Sequence, residues 1–241
     1  MNSTTNLKRK IENNRTIISD IFANTESTKR LNNLNWLRHE ISYTEPRTLF
    51  YIPTKNQQPY LDFNCMRNIG TAYDYIIKNP TEAIDIYSIC RIHSILCTDT
   101  HIDGGRFRNC TKILEIKING NRMYAPESTE IQNRLNEIAY NCNNPGNEVL
   151  CTAFKAHYDI IALQPFDDFN KRTSRLIMNW ILIKNGYSPI AFNSPKDKQN
   201  YIASIAANAN GNHKDYNRYM LSCMARTQDK VINLLKKSKV Y

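Results

Sequence analysis

Residues 176–183, LIMNWILI, are apolar at every position except Asn179. A helix with no polar face is stable only when other elements cover it on all sides. The rest of the chain must therefore wrap this segment. Gly186 follows it closely and is well placed as its C-terminal stop.

The remaining sequence supplies the cover. Ile18, Ile21 and Phe22, then Leu31, Leu34 and Leu37, recur at helical spacing, so residues 5–45 read as helices. Pro46 ends that region, and residues 46–62 read as a loop or short extended piece. Residues 63–78 and 81–97 read as helices, with Ile86, Ile89, Cys90 and Leu96 on one face. DGGRFRN at 103–109 is an Arg-loaded turn. Residues 111–126 read as two short strands around INGN, since Asn-Gly is a common tight-turn pair. Helices are expected again over 127–140 and 148–163, and two or three more complete the chain. No internal repeat is present.

A chain of 241 residues with 41% hydrophobic content has room for one domain, or one domain and an arm. The seven cysteines include no C-x-x-C pair and mostly sit in apolar runs, which reads as reduced core thiols in a cytoplasmic protein. The N-terminus is polar and no segment is long enough to cross a bilayer, so neither a signal peptide nor a membrane partner is expected; export by a route that reads no such signal is left open. The net charge of +10 favours anionic partners. Nucleic acid is ranked low among them, because no helix-turn-helix or aromatic-studded basic groove is present.

The chemistry concentrates at 163–175, LQPFDDFNKRTSR, which runs directly into the apolar segment. A helix beginning near Asn170 offers unpaired N–H groups and the positive end of its dipole, an anion site. Arg172 and Arg175 lie three apart and can share a side of the first turn. Asp168 is a hard oxygen donor of the kind that holds Mg2+ beside substrate phosphates. Each residue also has a plainer reading. Asp168 can be an N-cap, and the arginines can be solvated or paired with Asp167 and Asp168. Together they favour a site for a nucleotide polyphosphate.

Gln164-Pro165-Phe166-Asp167-Asp168-Phe169-Asn170-Lys171-Arg172-Thr173-Ser174-Arg175 resembles the motif HPFx[D/E]GN[G/K]RxxR of the Fic (Fido) family. GGRFR at 104–108 is similar to the segment ahead of that family's hairpin, YAPE at 124–127 to the start of the next helix, and GYSPI at 186–190 to the end of the core. His157 also matches a position that is often His. The likeness spans about 85–220.

It implies a mainly α fold: a Fic helical core over 63–225 with a β-hairpin flap, an N-terminal helical arm over 1–62 and a basic tail over 226–241. It also implies ATP and Mg2+ as cofactors and transfer of AMP to a hydroxyl of a target protein. By motif position, Asp168 would hold Mg2+, Asn170 and the helix-start amides would cradle the phosphates, and Arg172 and Arg175 would bind them with Lys171 beside them. Phe166 would anchor the loop. Lys117, Ile118, Asn119, Gly120 and Asn121 would form the flap that docks the target. A homo-oligomer is left open.

Three residues depart from the motif. Gln164 stands where the family has the His that deprotonates the target hydroxyl. A neutral amide has no useful basicity, and loss of a general base lowers rates by roughly 10²–10⁴-fold. Gln164 can orient a hydroxyl or simply cap and pack. His157 is two helical turns away, roughly 10 Å along the axis, and reads as a packing histidine; His93 is a weaker candidate still. Phe169 replaces the usual Gly, implying a somewhat different loop or an aromatic wall facing the ligand. Lys171 replaces the Gly of most AMP-transferring members. Asn-Lys-Arg occurs in the phage toxin Doc, which transfers the terminal phosphate, so phosphoryl transfer stays open, as does a non-catalytic binding or regulatory role. Finally, IENNRTIISDIF at 11–22 resembles the family's inhibitory segment, in which Glu12 would pair with Arg175, although Lys8 stands where Ser or Thr is usual.

Overall fold

The computed structural model describes residues 3–23, 58–109, 115–118, 121–192 and 195–237. Its helices are α1 (Ser3–Ala23), α2 (Gln58–Lys78), α3 (Ile86–Leu96), α4 (Ile131–Asn143), α5 (Val149–Leu163), α6 (Asn170–Lys184), α7 (Pro195–Ala209) and α8 (His213–Lys237). A single 3-10 turn, Ser128–Glu130, precedes α4. Strands β1 (Glu115–Ile118) and β2 (Asn121–Tyr124) pair antiparallel, with Glu115 opposite Tyr124 and Ile118 opposite Asn121. The fold is mainly helical.

The apolar run lies at the centre. Every residue of α6 from Thr173 to Leu182 is buried, with Trp180 and Ile181 at zero exposure. The one polar member of the run is satisfied: Asn179 Oδ1 accepts from Ile190 N at 2.8 Å, and its Nδ2 donates to Ile190 O at 3.1 Å and to the Tyr73 hydroxyl. It thereby pins the segment after α6 back onto the helix. Gly186 does stop α6. At φ +74° it donates to Ile183 O, and Tyr187 N reaches back to Leu182 O, the paired bonds of a Schellman motif. Asp85 and Ser88 form a reciprocal capping box that starts α3 five residues later than the apolar pattern suggests.

The boundaries at 62/63 and 225/226 fall inside α2 and α8. α1 packs onto the rest of the fold: Ile11 is fully buried in the main core, Gln228 on α8 donates to Ile11 O, and Asn14 and Lys10 both bond Asp229. The helical reading of 24–45 and the flap residues Asn119 and Gly120 lie outside the described residues. No helix among the described residues is long and apolar enough to cross a membrane. Among them, Cys90, Cys97, Cys142, Cys151 and Cys223 are free thiols.

Candidate functional site

α5 and α6 pack as an antiparallel pair joined by residues 164–169, and this connection is the motif loop. Gln164 ends α5 in the left-handed region, φ 46° and ψ 59°, with its N–H on Ile160 O. Its side chain is held at both ends. Nε2 donates to Ile161 O at 2.7 Å, and Oε1 accepts from Asn170 Nδ2 at 3.1 Å. Of the two readings open for Gln164, the geometry is that of a cap. Asn170 closes the loop from the other side: Oδ1 accepts from Phe166 N at 2.9 Å, and Nδ2 donates to Phe166 O at 2.8 Å. The Asn170 side chain is buried and committed to the loop, so of the groups expected to cradle phosphates here only the backbone amides stay uncommitted to it. The first-turn N–H groups of α6 have no partners within the helix.

Asp168 is exposed beside those amides. It is not the N-cap; that position belongs to Phe169, whose N–H donates to Asp168 Oδ1 at 2.6 Å. Phe169 keeps the backbone that Gly favours, φ 56° and ψ 11°, despite its bulk. The Phe169 ring faces Arg172, whose guanidinium carbon lies 4.4 Å from the ring centroid. Lys171 is half-buried; burial and then Arg175 push its ammonium below the usual range, against Asp168.

The two arginines do not share an open side. Arg172 is half-exposed, but Arg175 is 1% exposed and points into the core toward His157. The plainer readings of the other histidine hold as well. His157 is fully buried between two phenols, with Nδ1 2.7 Å from Tyr216 Oη and Nε2 2.8 Å from Tyr201 Oη. Burial, then the charge of Arg175, lowers it to about 3. It is neutral packing, not a base.

Two residues to which the sequence assigns no part in the loop hold it in place. His93 on α3 is buried and stacks on Phe166, centroids 3.8 Å apart and planes 3° from parallel. Gly105 N donates to His93 Nδ1 at 2.9 Å, and His93 Nε2 lies 3.1 Å from Asp168 O. Burial pushes its imidazole below the usual range, against Asp168 and Asp167. Arg108 is 2% exposed. Its Nε donates to Gln164 O at 2.6 Å, and Nη2 donates to Leu163 O at 3.4 Å and to Pro126 O. Its N–H also holds Pro165 O at 2.9 Å. A cation on the last carbonyls of α5 complements the negative end of that helix. Arg108 thus ties the loop to Pro126, just beyond β2. The Gly104-Gly105 pair is the one sequence signal for both residues. A Cβ on Gly104 would lie 2.9 Å from Ser94 Cα, so only a turn without side chains can press this close to α3.

Glu12 lies elsewhere. Its Oε1 accepts from Tyr187 Oη at 2.6 Å, and Oε2 is 3.5 Å from Arg15 Nη1. Arg15 also donates to Asn185 O and stacks on the Tyr187 ring. These partners mark the C-terminal end of α6, and the helix from Arg175 to Asn185 is roughly 15 Å long. Glu12 therefore does not pair with Arg175 in this structure. Lys117, Ile118 and Asn121 stand in the two strands. Among the described residues no group of three or more His, Cys, Asp or Glu side chains could hold a metal. A cation at Asp168 would need phosphate oxygens and water to complete its shell, which is how Mg2+ is commonly bound.

Residues 83–182 match the Fic/DOC family. The chain is 26% identical over 174 residues to the protein adenylyltransferase Fic of Nematostella vectensis, an alignment covering 70% of this chain and 40% of that protein. The chain thus spans well under half the length of this curated relative. Among solved structures, Fic-1 from C. elegans superposes with a TM-score of 0.76 at 16% identity, covering 97% of this chain and 74% of that one. A variant of IbpAFic2 in complex with adenylylated Cdc42 superposes with a TM-score of 0.57 at 16% identity, covering 93% and 76%. The motif, the α5–loop–α6 arrangement that carries it and these likenesses agree: residues 83–182 of this chain belong to a Fic/DOC-family domain.

Proposed function

We propose that the chain binds ATP with Mg2+ at the start of α6, as a relative of the protein adenylyltransferases whose transfer step is impaired at position 164. The amide pair between Gln164 and Asn170 carries this reading. Gln164 uses both of its polar atoms on the protein itself and cannot take a proton at neutral pH. His157 is sealed in the core and His93 is turned onto the loop, so neither replaces the missing base. The phosphate-binding parts remain: the first-turn amides of α6, Arg172, and the exposed Asp168 for Mg2+. Bound Mg2+ would neutralise phosphate charge there. Arg175 lies behind these groups and would reach a terminal phosphate only by moving.

The partner would be a protein, docked on the hairpin of β1 and β2. In support, IbpAFic2 is solved with adenylylated Cdc42, and Arg108 joins the end of this hairpin to the loop. Lys171 beside Asp168 and Arg175 keeps transfer of the terminal phosphate as the second reading.

The test is label transfer in a cell lysate with Mg2+ and ATP labelled on the alpha or the gamma phosphate, comparing wild type with Gln164→His. Labelling by Gln164→His alone is the expected result, and the labelled phosphate identifies the group moved. Labelling by wild type would show that Gln164 suffices. If neither form labels protein and neither binds ATP, the reading fails.

A further inference from the structure

Building on that nucleotide reading, we propose that His93 is a positioning residue that sets the place of Asp168, and through it the Mg2+-dependent part of nucleotide binding. The hydrogen bonds define one tautomer. Gly105 N–H donates to Nδ1, so Nδ1 carries no proton. The proton is on Nε2, which donates to Asp168 O. The ring is held face to face on Phe166, the residue whose backbone N and O are both clasped by Asn170. Asp168 is therefore fixed at two atoms, its carbonyl by His93 and its Oδ1 by Phe169 N. That leaves Oδ2 as the oxygen that can face a cation. A carboxylate on an exposed loop otherwise samples many positions, and fixing it beforehand removes part of the ordering cost of binding.

The clamp also links two segments far apart in sequence. The Gly104-Gly105 turn is pressed against α3 too closely for any side chain. Its amide then reaches the loop through the imidazole. The groups facing the ring are the Cys97 thiol on its own helix, the Gly105 amide, the Phe166 ring, the Asp168 carbonyl and, electrostatically, the carboxylates of Asp168 and Asp167.

The experiment is ATP binding by calorimetry on the full chain, with Mg2+ and with EDTA, for wild type, His93→Gln, His93→Asn and His93→Phe. Gln can place a donor where Nε2 stands; Asn can accept from Gly105 but offers Asp168 O no donor; Phe keeps only the stack. The ratio of the Kd in EDTA to the Kd in Mg2+ should fall about five- to tenfold in His93→Asn and His93→Phe, the loss expected of one or two hydrogen bonds. It should be kept in His93→Gln. An unchanged ratio in folded His93→Phe, or equal losses in the Gln and Asn variants, overturns the proposal. Should the Phe variant not fold, the Gln and Asn pair decides. Absence of ATP binding by wild type would sink the nucleotide reading instead. The clamp itself is then read from imidazole nitrogen chemical shifts and Gly105 amide exchange: a bare Nδ1 with a protected amide supports it, and a protonated Nδ1 refutes it.

Discussion

The guanidinium of Arg172 lies over the face of Phe169, 4.4 Å from the ring centroid. The contact joins the two outer corners of the loop and holds a phosphate-binding candidate against a side chain that the family motif lacks. Phe169 accepts a left-handed backbone to make it, at about 1–2 kcal/mol for a residue with a Cβ. The stacked cation returns roughly 0.5–1 kcal/mol. Phe169→Gly removes both effects. The expected outcome is a change in unfolding free energy within about 1 kcal/mol, and ATP affinity raised roughly two- to fivefold because Arg172 no longer leaves the ring to meet phosphate. Urea melts and calorimetry measure the two. Weaker ATP binding in the variant would mean that the ring contacts the nucleotide.

Asn170 closes the loop with three hydrogen bonds from one buried amide. Asn170→Ala strands the Phe166 N and O, both buried, and should cost about 2–4 kcal/mol. Asn170→Asp should be at least as damaging at neutral pH. It keeps the acceptor for Phe166 N but turns a carboxylate toward two other acceptors, Phe166 O and Gln164 Oε1. Urea unfolding should show a lower midpoint at unchanged m. A melt indistinguishable from wild type in Asn170→Ala would remove Asn170 from the loop's support.

The central helix and its loop are legible in the sequence because each depends on local signals. The apolar run requires burial, Gly186 supplies a left-handed stop, and the polar stretch must cap the run. Other features depend on distant partners. His93 looks like one more residue on the apolar face of α3, and nothing nearby shows that its ring nitrogens meet Gly105 and Asp168. Arg108 reads as a surface charge until Leu163, Gln164 and Pro126 are seen around it. Helical periodicity identifies α1 but not its neighbour, so Glu12 is placed by motif spacing when its actual partner is Tyr187. Burial of Arg175 is likewise set by packing of α5, α3 and α2 around α6, which a three-residue spacing does not describe.

The placement of Glu12 has a direct consequence. With its carboxylate on Tyr187 and Arg15, it does not guard the loop in this structure. Glu12→Gly should leave ATP affinity unchanged within twofold, and should instead loosen α1. Tyr187→Phe removes the same hydrogen bond at an exposed position and should cost about 0.5–1 kcal/mol. Amide exchange along α1 should speed up in both variants. A large gain in ATP affinity on Glu12→Gly would mean that α1 also occupies a second position, with Glu12 at Arg175.

His157 makes stability depend on pH with a definite sign. Its folded value is lowered to about 3 by burial and then by Arg175; the unfolded value is about 6.5. Between these values the unfolded chain binds a proton that the folded chain refuses, so stability rises with pH. The contribution is fully present above about pH 6.5 and is lost on acidification toward pH 3, at about 1.4 kcal/mol per pH unit at most. His93 is lowered as well and acts in the same direction, whereas Asp159, raised mainly by burial, acts oppositely at lower pH. His157→Gln isolates the effect, since an amide can still bond both Tyr201 and Tyr216 without titrating. From pH 7 to pH 5, wild type should lose about 1.5–2 kcal/mol more than His157→Gln in urea unfolding. Equal losses in the two proteins would mean that His157 is protonated in the fold, which would place a second positive charge beside Arg175 and require an anion between them.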